Sequence, residues 1–124
     1  MNFFIKTYLI LFFVLLFGCK NNKEVSKLEI KNEDINALMI EAYQDGLKEL
    51  ENGYAIIAAK KFNEAEILFP QSIWAPRSSL MAAYSYYSQD YYEDSINELI
   101  RFLKTYPNNI RIDYARYLLA MNYY

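Results

Sequence analysis

A chain of 124 residues with 13 Lys+Arg against 15 Asp+Glu carries a net charge of −2 and has room for one modest domain. No basic stretch could follow a phosphate backbone, so nucleic acid is not an expected partner. There is no His and a single Cys, which removes the usual general base, His-dependent triads, an internal disulfide and Cys/His metal clusters; neither catalysis nor a bound cofactor is expected.

The first element is an address. Residues 1–17 read MNFFIKTYLILFFVLLF, with Lys6 as the only charged side chain and an unbroken apolar run from Tyr8 to Phe17. That run suits the apolar region of a signal peptide and falls short of the roughly 20 residues a bilayer-spanning helix needs. Gly18 and Cys19 follow, and polarity begins at once with Lys20, Asn21, Asn22 and Lys23. A small residue before the only Cys, at the end of an apolar run, resembles a bacterial lipobox. The resemblance implies cleavage before Cys19, acylation of its thiol and new amino group, and, with Lys20 rather than Asp next, sorting to the outer membrane facing the periplasm. An ordinary apolar anchor with an incidental Cys is the alternative. Residues 1–18 are thus expected to be a signal peptide, and 19–32 a lipidated Cys with a flexible polar tether.

Helices follow, with only 3 Gly and 3 Pro in the whole chain to interrupt them. Apolar residues at Ile35, Leu38, Met39, Ala42, Tyr43, Gly46, Leu47 and Leu50 keep helical spacing, predicting a first helix from about Asp34 to Glu51 that Asn52-Gly53 stops. Further helices are expected at about 54–68, 74–88 and 92–104, with a last one from about Ile110 to Tyr124. Pro76 fits only near a helix start, so the third helix is expected to begin at Trp74 or slightly later.

The punctuation is periodic. Pro70 and Pro107 are 107 − 70 = 37 residues apart. The same shift carries Gly46 onto Ala83, Tyr54 onto Tyr91, Ala58 onto Ser95, Phe62 onto Leu99, Ala65 onto Phe102, and Ala83 onto Ala120. Small residues at fixed offsets let paired helices approach closely, and repeated units bury their apolar faces on one another. The pattern resembles the tetratricopeptide repeat, so the expected fold is all-α. It would be a superhelix of antiparallel helix pairs over residues 33–124, with about two and a half repeats and the third truncated. Phe62 and Leu99 are expected to fill the space between units, and Trp74 to anchor the lengthened turn.

Three stretches go beyond the generic repeat: LFPQSIWAPRSSLMAAYSYYSQDYYEDSI, LIRFLKTYPNN and IDYARYLLAMNYY. Together with the lipobox they resemble the BamD family, lipoproteins of the machinery that inserts β-barrel proteins into the outer membrane. The resemblance implies partner binding: a BamA-type barrel protein, other assembly subunits, unfolded outer-membrane proteins, and the membrane through the lipid. A different periplasmic repeat adaptor, for instance one organising cell-wall enzymes, is the alternative.

In such arrays the first helix of each pair lines a concave groove. The expected groove residues are Tyr43 and Leu47; Arg77, Met81, Tyr84 and Tyr87; and Tyr114, Tyr117 and Met121. Tyrosine offers a rigid apolar face with one hydroxyl, which suits peptide capture. Each of these tyrosines also sits at helical spacing and could instead be core. The acid pairs Glu64/Glu66 and Glu93/Asp94 are expected to be solvated on helix surfaces.

Overall fold

The computed structural model describes the backbone of residues 23–124 and the side chains from Asn32 onward. The expected signal peptide and Cys19 lie outside the described residues. Among the described residues five helices follow one another: α1 (Lys23–Glu51), α2 (Ala55–Leu68), α3 (Trp74–Tyr87), α4 (Tyr92–Thr105) and α5 (Ile112–Tyr123). Among the described residues there is no strand. The chain is thus all-α, as its punctuation predicts, and residues 32–124 form one compact unit. α1 begins well before the expected Asp34. The segment 23–32 is polar but contains no Gly or Pro, so nothing in it breaks a helix.

The repeat is written in the turns. α1 ends where Gly53 adopts φ +80, and α3 ends where Asp90, 37 positions on, adopts φ 63. In the first turn the Tyr54 N–H donates to the Glu49 carbonyl at 2.9 Å, and in the second the Tyr91 N–H donates to the Tyr86 carbonyl at 3.0 Å. The turns between units match as well: the Ser72 N–H donates to the Phe69 carbonyl at 3.0 Å, and the Asn109 N–H to the Tyr106 carbonyl at 3.1 Å. Pro76 is the third residue of α3, within the first turn whose N–H groups have no helical partner. Ser72 Oγ accepts from the Ala75 N–H at 3.1 Å, securing that start.

Consecutive helices run antiparallel. Lys61 of α2 reaches Asp45 of α1 at 3.6 Å, while Leu38 and Leu68 share a cleft nearer the start of α1. Phe62 lies against Gly46, where an added Cβ would sit 2.8 Å from the ring. Phe62 thus fills the close approach within the first unit, and it belongs to a core that Ala82 of the next unit joins. The first core joins Met39, Ala42, Tyr43, Ala58, Ala59, Phe62, Ala65 and Ala82. The second joins Leu80, Ala83, Leu99, Phe102, Ala115 and Leu118.

α3 sits between them and contributes to both. Apart from Leu80, its buried residues are all Ala or Ser: Ala75, Ser78, Ser79, Ala82, Ala83 and Ser85. Side chains this small let α2 and α4 press onto the α3 backbone. Ser95 of α4 accordingly reaches the Ala83 carbonyl, donating its hydroxyl at 2.9 Å. α4 is the clearest amphipathic helix, burying Ser95, Leu99 and Phe102 with Glu93 and Asp94 in its first turn and Lys104 in its last. Those charges complement the helix dipole. Ala120, the third member of the Gly46/Ala83 series, is exposed, because no second helix pairs with α5 among the described residues.

Candidate functional site

α3 and α5 lie side by side and frame an open cleft of about 330 Å³. Its lining is Arg77, Leu80, Met81 and Tyr84 from α3, with Arg111 and Tyr114 from the start of α5. The α3 residues follow from spacing: 77, 81 and 84 fall on one helical face. Leu80 is buried and forms the floor, whereas Tyr84 and Tyr114 are 38% and 43% exposed. Tyr117 and Met121 continue the α5 face and are exposed. Tyr87 continues the α3 face, half-buried against the second core with its ring 6.1 Å from that of Tyr92.

The tyrosines are close enough to sense one another. The Tyr114 hydroxyl is held above its ordinary pKa of 10.0, chiefly by burial, then by Tyr84, Tyr117 and Tyr87, with Arg111 opposing. Arg77 is fixed by stacking, its guanidinium carbon 5.0 Å from the Trp74 ring centre and 5.6 Å from that of Tyr43. Neither Arg77 nor Arg111 joins an ion pair among the described residues. The cleft thus presents flat apolar faces, phenolic hydroxyls and two guanidinium groups that no carboxylate of the described residues neutralises.

Tyr43 is a correction to the sequence reading. It is only 7% exposed and belongs to the first core, not to the open face. Its ring meets Phe62 edge-on at 5.2 Å and Trp74 at 5.3 Å. Gly46 admits the Phe62 ring close to α1, and the start of α3 closes over the other side. Trp74 does anchor the turn, as expected. Leu47, one turn beyond Tyr43, is exposed and does not line the cleft. Of the cleft residues, Leu80 and Arg111 escape sequence reasoning; Leu80 reads simply as core, and Arg111 sits in a turn.

Glu66 is the second correction. It is not solvated but 7% exposed, at the centre of a polar network that ties α2, α3 and α4 together. Arg101 donates to both Glu66 oxygens at 2.9 and 2.7 Å, to Glu98 at 2.9 Å, to Ser79 Oγ at 3.0 Å and to Asn63 at 3.2 Å. The Tyr106 hydroxyl donates to Glu66 at 2.6 Å, and Asn63 donates to Glu98 at 2.9 Å. The bonds that Arg101 donates to Glu66 hold its proton more firmly than usual against the opposing effect of burial, with Glu98 adding to the hold. Burial, then the bond to Glu66, pushes the Tyr106 hydroxyl well above its ordinary value. No repeat signal could have revealed this network, since the 37-residue shift places Arg101 on Glu64 and Glu66 on Leu103.

Paired antiparallel helices with period-related turns define an α-helical repeat protein of the tetratricopeptide type, with a tyrosine-lined cleft on one face. Residues 36–124 match the model of the YfiO family, described as an outer membrane lipoprotein, and the chain belongs to this family, that of BamD. A Rickettsia prowazekii protein named outer membrane protein assembly factor BamD is 32% identical over 111 residues, 90% of this chain and 41% of that protein. Its namesake from Caulobacter vibrioides is 32% identical over 107 residues, 86% of this chain and 34% of that protein. A third, from Neisseria meningitidis serogroup B, is 33% identical over 79 residues, 64% of this chain and 30% of that protein. The chain therefore spans less than half the length of these relatives. No solved structure matches it.

Proposed function

We propose that this chain works in outer-membrane protein assembly, as part of a lipoprotein subunit of the β-barrel assembly complex. The subunit is tethered through Cys19 and faces the periplasm. Its partners are a BamA-type barrel protein, other assembly subunits and unfolded outer-membrane proteins. Family membership and the names of the relatives support the assembly role.

The observation that carries the receiving role is the cleft, with Tyr84, Tyr87, Tyr114 and Tyr117 gathered beside two guanidinium groups that have no carboxylate partner among the described residues. An extended segment rich in aromatic and apolar residues would lay its side chains on these rings, and the arginines would hold a carboxylate of that segment. The test is titration of the protein with a labelled aromatic-rich peptide from the end of a barrel protein. Replacing Tyr84 and Tyr114 by Ala should weaken binding at least tenfold, about 1.4 kcal/mol. Unchanged affinity would remove the cleft from the reading. Depletion in cells should lower outer-membrane barrel levels, and unchanged levels would remove the assembly role.

A further inference from the structure

The two turns between units form one edge of the array, and each projects an isoleucine at the same repeat position. Ile73 is 88% exposed and Ile110, 37 residues on, is 96% exposed. Ile67, in the last turn of α2 at this edge, is 74% exposed. Burying side chains of this kind is worth more than any polar contact these turns could make, yet nothing among the described residues covers them. The turns themselves, residues 69–73 and 106–111, contain no acid and one Arg; the adjoining helix ends add Arg77, Lys104 and Asp113, while Glu66 is buried against Arg101.

The opposite edge, formed by the turns within units, also carries apolar residues, including Tyr54, Ile56, Ile57 and Tyr91. There, however, Glu49, Glu51, Asp90, Glu93 and Asp94 crowd the same turns and helix ends. Anionic headgroups would be repelled more strongly by that edge than by the one bearing Ile73 and Ile110, where Arg77, Lys104 and Arg111 outnumber the exposed Asp113.

The position of the tether singles out the same edge. Because α1 and α2 are antiparallel, with Leu38 level with Leu68, the turn at 69–73 lies toward the Asn32 end of α1. Cys19 precedes Asn32 by 32 − 19 = 13 residues. With α1 helical from Lys23, the stretch from Lys23 to Asn32 spans about 14 Å and the one from Cys19 to Lys23 at most about 14 Å, so an acyl group on Cys19 would keep this end near the membrane.

We propose that the edge formed by residues 69–73 and 106–111 rests on the lipid surface, with Ile67, Ile73 and Ile110 entering the boundary between headgroups and acyl chains. The proposal builds on the lipid-tether reading of Cys19. Docking of this kind would orient the array relative to the membrane, which a tether alone does not do.

Trp74 follows Ile73 directly and is the one Trp of the 124 residues, so it serves as a native reporter. The acylated chain is reconstituted on vesicles of phosphatidylethanolamine and phosphatidylglycerol containing a lipid brominated near the headgroup, and Trp74 fluorescence is read after flotation. The expected result is marked quenching that the Ile73→Asp/Ile110→Asp variant loses, with its helical melt unchanged because both side chains are exposed. A parent chain that floats with Trp74 unquenched overturns the proposal and leaves the edge to a protein partner. Equal quenching in the variant overturns it too. Flotation reads the tether separately: if Cys19→Ser floats as well as the parent, the acyl anchor falls, while the comparison of Trp74 quenching still decides the edge.

Discussion

Arg101 and Glu66, thirty-five residues apart, are joined by two hydrogen bonds of 2.9 and 2.7 Å that cross from the second unit of the array to the first. This is a fork-on-fork pair, the geometry for which a guanidinium is better suited than an ammonium. Replacing Arg101 by Met would leave a buried carboxylate with only the Tyr106 hydroxyl. We expect a loss of about 2–3 kcal/mol, below the range for fully buried pairs because the Arg101 side chain is itself 41% exposed. Arg101→Lys should recover little of it. Denaturant melts measure both.

The same network sets an alkaline limit. The Tyr106 hydroxyl has a raised pKa in the folded state, so between pH 10 and that folded value the unfolded chain releases a proton that the folded chain keeps. Stability should therefore be intact below about pH 10 and fall as pH rises beyond it. In Tyr106→Phe this part of the alkaline slope should vanish, on top of a constant loss of about 1–2 kcal/mol for the missing bond to Glu66. Melting temperatures between pH 8 and 11 decide it; an unaltered slope in the variant would show that Tyr106 is not the titrating group.

Gly46 and Phe62 are matched in size. A methyl group at Gly46 would lie 2.8 Å from the ring, so Gly46→Ala should cost about 1–3 kcal/mol. The second unit already carries the alternative pairing, Ala83 with Leu99 in one core. Phe62→Leu should accordingly rescue Gly46→Ala, and the double-mutant cycle should show coupling of about 1 kcal/mol or more. Simple additivity would count against the size match.

Asp90 holds a left-handed conformation that suits glycine better, at φ 63. Asp90→Gly should stabilise the protein by about 0.5 kcal/mol, the relief of strain being offset partly by loss of the 2.6 Å bond from the Tyr92 hydroxyl. At the equivalent turn Gly53→Ala should cost about 1 kcal/mol, although no atom lies within 4 Å of the added methyl. Opposite signs at equivalent positions are the outcome to look for.

Tyr43 and Tyr114 separate core from cleft. Tyr43→Ala should destabilise by about 3 kcal/mol, since it removes a ring packed on both Phe62 and Trp74. Tyr114→Ala removes a ring that is 43% exposed, and the melt should move far less. Peptide affinity should show the reverse ranking.

The architecture was legible because its signals are local. Gly53, Pro70 and Pro107 punctuate, small residues recur at 37, and each helix falls within a few residues of its place except the start of α1. There the polar run 23–32 reads as a tether, while composition without Gly or Pro permits a helix. The cleft was legible in part: spacing puts Arg77, Met81, Tyr84 and Tyr114 on open faces. Spacing alone does not say which neighbour arrives on a face, and the start of α3 arrives on Tyr43. Glu66 was beyond reach for a related reason, since its partner sits 35 residues away on a helix where the repeat supplies no matching pair.

Apart from Leu80, the fully buried side chains of α3 offer only methyl groups and hydroxyls, while Trp74, Met81, Tyr86 and Tyr87 are partly buried against the two cores. Where those small side chains meet α2 and α4, few ridges resist sliding, so lengthwise slip between neighbouring units meets little steric friction there. The Arg101 side chain of one unit, gripping Glu66 of the other, acts as a detent. Pulled along its axis, the array should yield first by shear at this junction, and the guanidinium should set the force at which it lets go.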